Sequence, residues 1–259
     1  MPLLVSAALA SRLGRWKPVI HERDVVALTA VSSAQWRELA AAFSEMPRDP
    51  GASAARARMN LNRFAARALR TGRWAPRLEG DPPSGDPTVY LTAHIGSLQA
   101  LRYALRARGI PVASVIGPHN EDRPGPARVD EIFDRRHAMD FPHALLSSQP
   151  HRLRTALRSG SLILAADLPS GPAFESALLG GRIRIDLRPV RLARSAGVPC
   201  RAAFLTVPDR RWVLTLSPAL PAEPRAACVE FARVFQQVAS CAPLDLDGLV
   251  YASLSRGRP

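Results

Sequence analysis

The chain has 259 residues, of which 47% are hydrophobic and 22% are charged, and its formal net charge is +13. Its length suits a single domain with one sizeable core, and its composition is that of a folded soluble or peripheral protein. No stretch contains the roughly 18 to 20 consecutive apolar residues that a membrane-spanning helix needs. The positive charge favours anionic partners, such as a phospholipid surface, an acidic carrier protein or nucleic acid.

The aromatic content argues against a nucleic-acid partner, and the cysteine spacing argues against a metal site or a disulfide framework. Aromatic residues make up only 6% of the chain, and the sequence contains no recognised nucleic-acid module, so no nucleic-acid partner is expected. The cysteines Cys200, Cys228 and Cys241 lie far apart and form no CxxC pair. This pattern is typical of small buried side chains in a reducing compartment, rather than of metal ligands or a disulfide framework.

Residues 1–80 are predicted to be mainly helical. Helices are expected over 34–46 and 55–74, each followed by a segment that contains turn-forming residues. The first 20 residues combine a short apolar run with basic residues. That combination predicts either an interfacial helix at a membrane surface or a first helix packed on the core, and both alternatives stay open. No charged segment precedes the apolar run, so a cleaved signal peptide is not expected.

Strand and helix patterns alternate from residue 81 onward. Strands are predicted at 88–92, 111–116, 161–167, 198–207 and 211–217. Helices are predicted at 97–109, 127–137, 149–160, 186–197 and 224–240, with a loop over 168–185. This alternation indicates an α/β fold with a mostly parallel central sheet flanked by helices. The chain is therefore predicted to be one domain over 1–259, with a helical part at 1–80 and an α/β core at 81–259.

Three predicted strands end in residues that suggest a site. His94 follows the first strand, Gly117 the second and Asp167 the third. Ligands of parallel sheets bind beyond the carboxyl ends of the strands, so these residues are expected to share one rim. A histidine there can act as a general base, provided that a partner fixes its tautomer. The alternative is a structural histidine, held by hydrogen bonds at a corner that Gly96 and Ser97 make sharp.

Four segments of the sequence resemble blocks of one known family, and they occur in the order in which that family has them. HIGSLQ, from residue 94, resembles the His-x-Gly-x-x-Glu block of the lipid A late acyltransferases, a lysophospholipid-acyltransferase-like family. RGIPVASVIGP, GSLILAADLPSGPAFESALLGG and RLARSAGVPCRAAFL resemble three further blocks of that family. Together the resemblance covers residues from about 55 to 240. It implies a glycerol-3-phosphate-acyltransferase-like fold.

The resemblance also implies an activity. The family moves a fatty acyl group from a thioester carrier, either acyl carrier protein or coenzyme A, to a hydroxyl of a lipid or glycolipid. Neither a metal nor a redox cofactor is implied. The expected location is cytoplasmic, peripheral on the inner membrane, against an anionic lipid surface. Backbone N–H groups near residues 96–98 or 168–172 are the expected stabilisers of the oxyanion.

Carried over by position, the resemblance assigns roles to single residues. His94 is the expected general base, with Gly96 and Ser97 at its corner. Asp167, Gly171 and Pro172 are expected to form the opposing loop.

The sequence departs from the family at several positions, and two of these departures concern the expected site most directly. Gln99 stands where the family has an acid, and glutamine carries no charge to stabilise an imidazolium. Gly117 stands where the family has an arginine, and Arg123 or Arg128 in the adjacent loop are the candidate replacements. Asp167 could supply the missing negative charge if it reaches His94. The alternative function is a catalytically degenerate protein of this fold that binds acyl chains or a carrier protein.

Other catalytic patterns are weaker. No serine lies in a nucleophile-elbow frame, and the phosphate-binding and dinucleotide-binding glycine patterns are absent. Several histidines and aspartates between residues 119 and 151 lack recognised ligand spacing, so they are interpreted as a solvated surface rather than a metal site. These residues are His119, Asp122, Asp130, Asp134, His137, Asp140, His143 and His151.

Overall fold

A computed structural model describes residues 76–96, 98–117, 141–142, 144–167, 169, 171–206, 208, 212–242 and 245–246. The predicted N-terminal helices, the predicted helix at 127–137 and the two alternatives for the first 20 residues lie outside the described residues.

Strands and helices alternate along the described part of the chain. The strands are β1 (Arg77–Gly80), β2 (Val89–Thr92), β3 (Val112–Ile116), β4 (Ala144–Leu146), β5 (Ser161–Ala165), β6 (Ala173–Leu178), β7 (Gly181–Asp186), β8 (Cys200–Thr206) and β9 (Val213–Ala219). The helices are α1 (Leu98–Arg106), α2 (Pro150–Ala156), α3 (Arg188–Ala196) and α4 (Pro224–Cys241).

Seven of the described strands form one sheet, in the order β1-β9-β8-β2-β5-β3-β4. β8 and β9 pair antiparallel, and every other neighbouring pair in this sheet is parallel. The predicted α/β class with a mostly parallel sheet is therefore confirmed for the described residues. The central strands β2 and β8 are buried along their whole length, as expected for parallel strands covered on both faces.

The prediction of a loop over 168–185 is wrong. Strands β6 and β7 pair antiparallel through this segment and form a separate two-stranded sheet. The alternation of exposed arginines and buried isoleucines in β7 fits a strand with one covered face. Leu179 and Gly180, both with positive φ (48° and 78°), form the connecting turn. A positive φ at both central residues is characteristic of the tight turns that join antiparallel strands.

Two further strands differ from the predicted pattern. Residues 77–80, which were placed in the helical part, form β1 at one edge of the sheet, parallel to β9. The short strand β4 at the opposite edge was not predicted, because its three residues carry no distinctive alternation.

Helices cover both faces of the sheet. The apolar side chains of α2, α3, α4 and the β6–β7 hairpin form one cluster on the first face, and α1 packs on the second face. Phe204 on β8 meets Phe231 and Phe235 of α4, with ring centroids 5.6 and 5.5 Å away. Each fully buried aromatic contributes about 1.5–3 kcal/mol through the hydrophobic effect. This packing fixes α4 against β8, the neighbour of the strand β2 that precedes His94.

Candidate functional site

The three predicted rim residues lie at the ends of neighbouring strands. β2 pairs with β5, and β5 pairs with β3, all in parallel. His94, Asp167 and Gly117 each follow the carboxyl end of one of these strands. The predicted convergence at one rim is therefore observed, although β2 and β5 are far apart in the sequence.

His94 and Asp167 are joined by two hydrogen bonds. The backbone N–H of His94 donates to Oδ2 of Asp167 over 2.8 Å, and Nδ1 of the imidazole lies 2.8 Å from Oδ1. Both carboxylate oxygens therefore hold the same residue. The Asp167 side chain is completely buried, whereas 31% of the His94 side chain is exposed. The pair thus has a fixed, desolvated anchor and a face open to a ligand.

This arrangement selects one tautomer of the imidazole. An ionised carboxylate can only accept hydrogen bonds, so Nδ1 must carry the proton that lies between the two groups. Nε2 is then the ring nitrogen with a lone pair, which is the state that a general base needs. Asp167 also places a negative charge beside any imidazolium that forms, and burial strengthens that interaction.

The backbone around His94 is held tightly. Gly96 has a φ of 66°, and a Cβ placed there would lie only 2.0 Å from the carbonyl oxygen of Leu205 on β8. Its N–H donates to the carbonyl oxygen of Asp245 over 2.6 Å, and Ile95 forms an isolated bridge with Leu246. The end of β8 and the segment after α4 therefore fix the backbone at residues 95–96. Of the N–H groups expected near residues 96–98 and 168–172 to stabilise an oxyanion, that of Gly96 already donates to the backbone carbonyl of Asp245.

The loop after Asp167 faces the start of α3. The Pro172 carbonyl accepts a hydrogen bond from the Leu187 N–H at 3.3 Å. A Cβ placed on Gly171 would lie 3.7 Å from the guanidinium carbon of Arg188. Gly171 and Pro172 thus belong to the rim, on the side nearest α3.

Four sequence-predicted positions have no described side chain. Gln99 lies in the first turn of α1, but its side chain lies outside the described residues. Ser97, Arg123 and Arg128 also lie outside them. Gly117 is described at the end of β3 and carries no charge that could take the role of the family's arginine.

A second aspartate pair was not predicted. The Asp186 N–H donates to the Ala166 carbonyl over 2.7 Å, so Asp186 lies next to the end of β5. Its Oδ2 accepts from Nε of Arg188 at 2.8 Å, and its Oδ1 accepts from the Arg188 backbone N–H at 2.9 Å. This hydrogen bonding raises the pKa of Arg188. The signal was the short Asp-x-Arg sequence at the start of a predicted helix, next to a segment interpreted as loop.

The described residues contain no group of three histidine, cysteine or acidic side chains placed to hold a metal ion. Of the residues considered for a metal cluster, only His151 is described, and it lies exposed on α2. None of the described helices combines the length and apolarity that crossing a membrane requires.

Comparisons with known proteins do not extend the resemblance. No protein-family model matches the chain, and no curated protein is significantly similar to it.

Proposed function

We propose that this protein is an O-acyltransferase that moves a fatty acyl group from a thioester carrier to a hydroxyl of a lipid or glycolipid. The observation that carries the proposal is the His94–Asp167 pair at the carboxyl rim of the sheet. A buried carboxylate on Nδ1 of a part-exposed imidazole is the arrangement that prepares a histidine to remove a proton from a hydroxyl. The ordered motifs of the family add support that is independent of this geometry.

The proposed reaction uses His94 twice. Nε2 takes the proton of the acceptor hydroxyl while the oxygen attacks the thioester carbonyl carbon, which forms a C–O bond and an oxyanion. The oxyanion then collapses, the C–S bond breaks, and the thiolate takes the proton back from Nε2. Asp167 stabilises the imidazolium between these two steps. Because the Gly96 N–H is occupied, residues 97–98 and the loop after Asp167 are the proposed oxyanion donors.

The proposed substrates and location follow from the same resemblance. The donor is an acyl carrier protein or coenzyme A thioester, and the reaction itself requires no metal or redox cofactor. The net charge of +13 supports attraction to anionic lipid. We therefore propose peripheral association with the cytoplasmic face of the inner membrane.

A degenerate binding protein is the second candidate. It is favoured by Gln99 and Gly117, which stand where the family has an acid and an arginine. The His94–Asp167 contact weakens this alternative, because a carboxylate from another strand occupies the position next to Nδ1. Catalysis by this pair requires no acid at residue 99.

The test is acyl transfer from a labelled acyl thioester into a bacterial lipid extract. His94→Ala is expected to abolish transfer, and the matched control His151→Ala, an exposed histidine on α2, is expected to retain it. Both acyl carrier protein and coenzyme A donors are supplied. Equal transfer by the two variants, or none by the wild-type protein with either donor, would contradict the enzyme function and favour the binding protein.

A further inference from the structure

A concave surface lies on the α3 side of the loop that follows Asp167. It is a groove of about 810 Å³ between the outer side of α3, the start of α4 and the beginning of β6. Its lining residues are Pro172, Ala173, Leu187, Arg191, Arg194, Ser195, Glu223, Pro224 and Arg225. His94 does not line it, so the groove is a separate feature of the surface.

The groove holds more positive charge than its one carboxylate can neutralise. Among the described residues, Arg191, Arg194 and Arg225 form no salt bridge, unlike Arg188 and Arg233. Glu223 is the one acidic lining residue, and its carboxylate caps α4 by accepting the Ala226 N–H at 2.6 Å. Three arginines against one glutamate leave two unmatched positive charges in the groove.

An anion bound in the groove would reduce the repulsion among these exposed arginines. Arg191 and Arg194 are three residues apart on α3, so their side chains are neighbours on the helix surface and repel each other. Arg225 lies in the first turn of α4. Backbone hydrogen bonds are the main cause that lowers the pKa of Glu223, and the charges of Arg225 and Arg194 lower it further. Planar guanidinium groups carried by two helices that line one groove offer donors suited to the oxygens of a phosphate group.

Several other arginines are either buried or close to a carboxylate, unlike those of the groove. Arg106 and Arg201 are buried, and backbone carbonyls accept their guanidinium hydrogens. Arg182 on β7 is exposed and lies 3.5 Å from Glu175 of the facing strand. The groove therefore combines a concave shape with arginines that form no salt bridge among the described residues.

The groove is also close to the rim along the chain. Pro172 lines it and is five residues from Asp167, which limits their Cα separation to about 18 Å. The Leu187 N–H holds the Pro172 carbonyl, so this end of the groove is tied to the start of α3. A ligand with a phosphate in the groove can therefore extend its other end towards His94.

We propose that this groove binds a phosphate ester and that, on the basis of the proposed acyl transfer, the ester is part of a substrate. Two sources offer this chemistry: the phosphates of the thioester donor, and a phosphate on the lipid acceptor. Coenzyme A and glycerol 3-phosphate are soluble probes that separate the donor source from the acceptor source.

Calorimetric titration of the full chain tests the site without any catalytic step. The groove variant is Arg191→Gln/Arg194→Gln. The matched control is Arg152→Gln/Arg158→Gln, which removes the same charge from exposed positions of the α2 region outside the groove. For the probe that binds, the groove variant is expected to weaken affinity about tenfold or more, and the control about twofold or less. The probe that binds identifies the source, and inorganic phosphate is expected to compete with it.

The outcomes separate this site from the proposed reaction. Equal losses of affinity in both variants, or no binding of either probe at millimolar concentration, would contradict the phosphate site. His94-dependent acyl transfer could still be observed in that case. Binding that only the groove variant loses, in a protein that transfers no acyl group, would retain the phosphate site and contradict its link to acyl transfer. Affinity for anionic vesicles alone, lost equally in both variants, would replace the site with a general attraction to membranes.

Discussion

Two buried aspartates lie near each other at the carboxyl rim, and they bind different basic side chains. Asp167 binds His94, and Asp186, joined to the same β5 end through the Ala166 carbonyl, binds Arg188. Each carboxylate bonds both the side chain and the backbone N–H of its partner. The geometry is therefore similar, and the chemistry differs because imidazole exchanges a proton near neutral pH whereas guanidinium does not.

The difference shows that the same carboxylate arrangement can serve two purposes. The Asp186–Arg188 pair is local, spans two residues and fixes the start of α3 beside Gly171. The Asp167–His94 pair is 73 residues apart in sequence and joins two strands. A fixed charge suits the shaping of a loop, and a titratable one suits proton transfer. Substitutions in and around the two pairs are expected to separate these roles.

The largest effect is expected from Asp167→Asn. An amide on Nδ1 cannot stabilise the imidazolium and favours the other tautomer, so acyl transfer should fall by about 10³- to 10⁴-fold, the scale of the same change in a serine-protease triad. Asp186→Asn is the matched control and should lower transfer by about tenfold or less, because it does not touch His94. Initial rates of labelled acyl transfer measure both, and equal losses would contradict separate roles.

The next largest effect concerns the corner that presents His94. Gly96→Ala forces a Cβ to within 2.0 Å of the Leu205 carbonyl at a positive φ, so the free energy of unfolding should fall by about 3 kcal/mol or more. Gly109→Ala also has a positive φ, of 79°, but meets no atom within 4 Å, so its cost should be about 1–2 kcal/mol. Urea denaturation compares them. A Gly96→Ala protein as stable as Gly109→Ala would show that the corner is not tightly packed.

A smaller effect is expected from Arg188→Gln. About half of the Arg188 side chain is exposed, and screening by water limits the pair to about 1 kcal/mol of the free energy of unfolding. Acyl transfer should stay within about threefold of wild type, because the Arg188 guanidinium is bound by Asp186 rather than by Asp167. A loss of transfer as large as that of Asp167→Asn would mean that Arg188 takes part in the reaction.

The smallest effect concerns thiols near the Asp186 pair. Burial raises the pKa of Cys228 to about 11, with a further contribution from the charge of Asp186, and burial raises that of Cys200 to about 12. Both thiols therefore stay protonated at neutral pH, and a thiol reagent should label the exposed Cys241 first. Mass spectrometry of the labelled peptides checks this. Rapid labelling of Cys228 in the native protein would contradict the packing of α4.

The fold was largely predictable, because buried parallel strands leave continuous apolar runs. Val89–Thr92 and Ser161–Ala165 carry such runs, and parallel pairing then places their ends on one rim. The β6–β7 hairpin was missed since a Gly-Pro start and a leucine in a positive-φ turn conceal its alternation.

The partner of His94 was harder to predict from sequence. The resemblance places the motif's acid at position 99, where this chain has glutamine, and it leaves Asp167 only as a conditional alternative. The contact depends on β2 and β5 being neighbours, and strand order is a global property that spacing along the chain does not contain.

The most direct measurement is the protonation of the His94 ring, by nitrogen NMR of isotope-labelled histidines in the neutral state. The chain has six histidines, and the signal missing from His94→Ala identifies the ring. The expected result is a proton on Nδ1 in the wild-type protein and in Asp186→Asn, and a different tautomer distribution in Asp167→Asn. A proton on Nε2 in the wild type, or no change in Asp167→Asn, would contradict the role of Asp167 and leave His94 without the prepared lone pair that the proposed transfer requires.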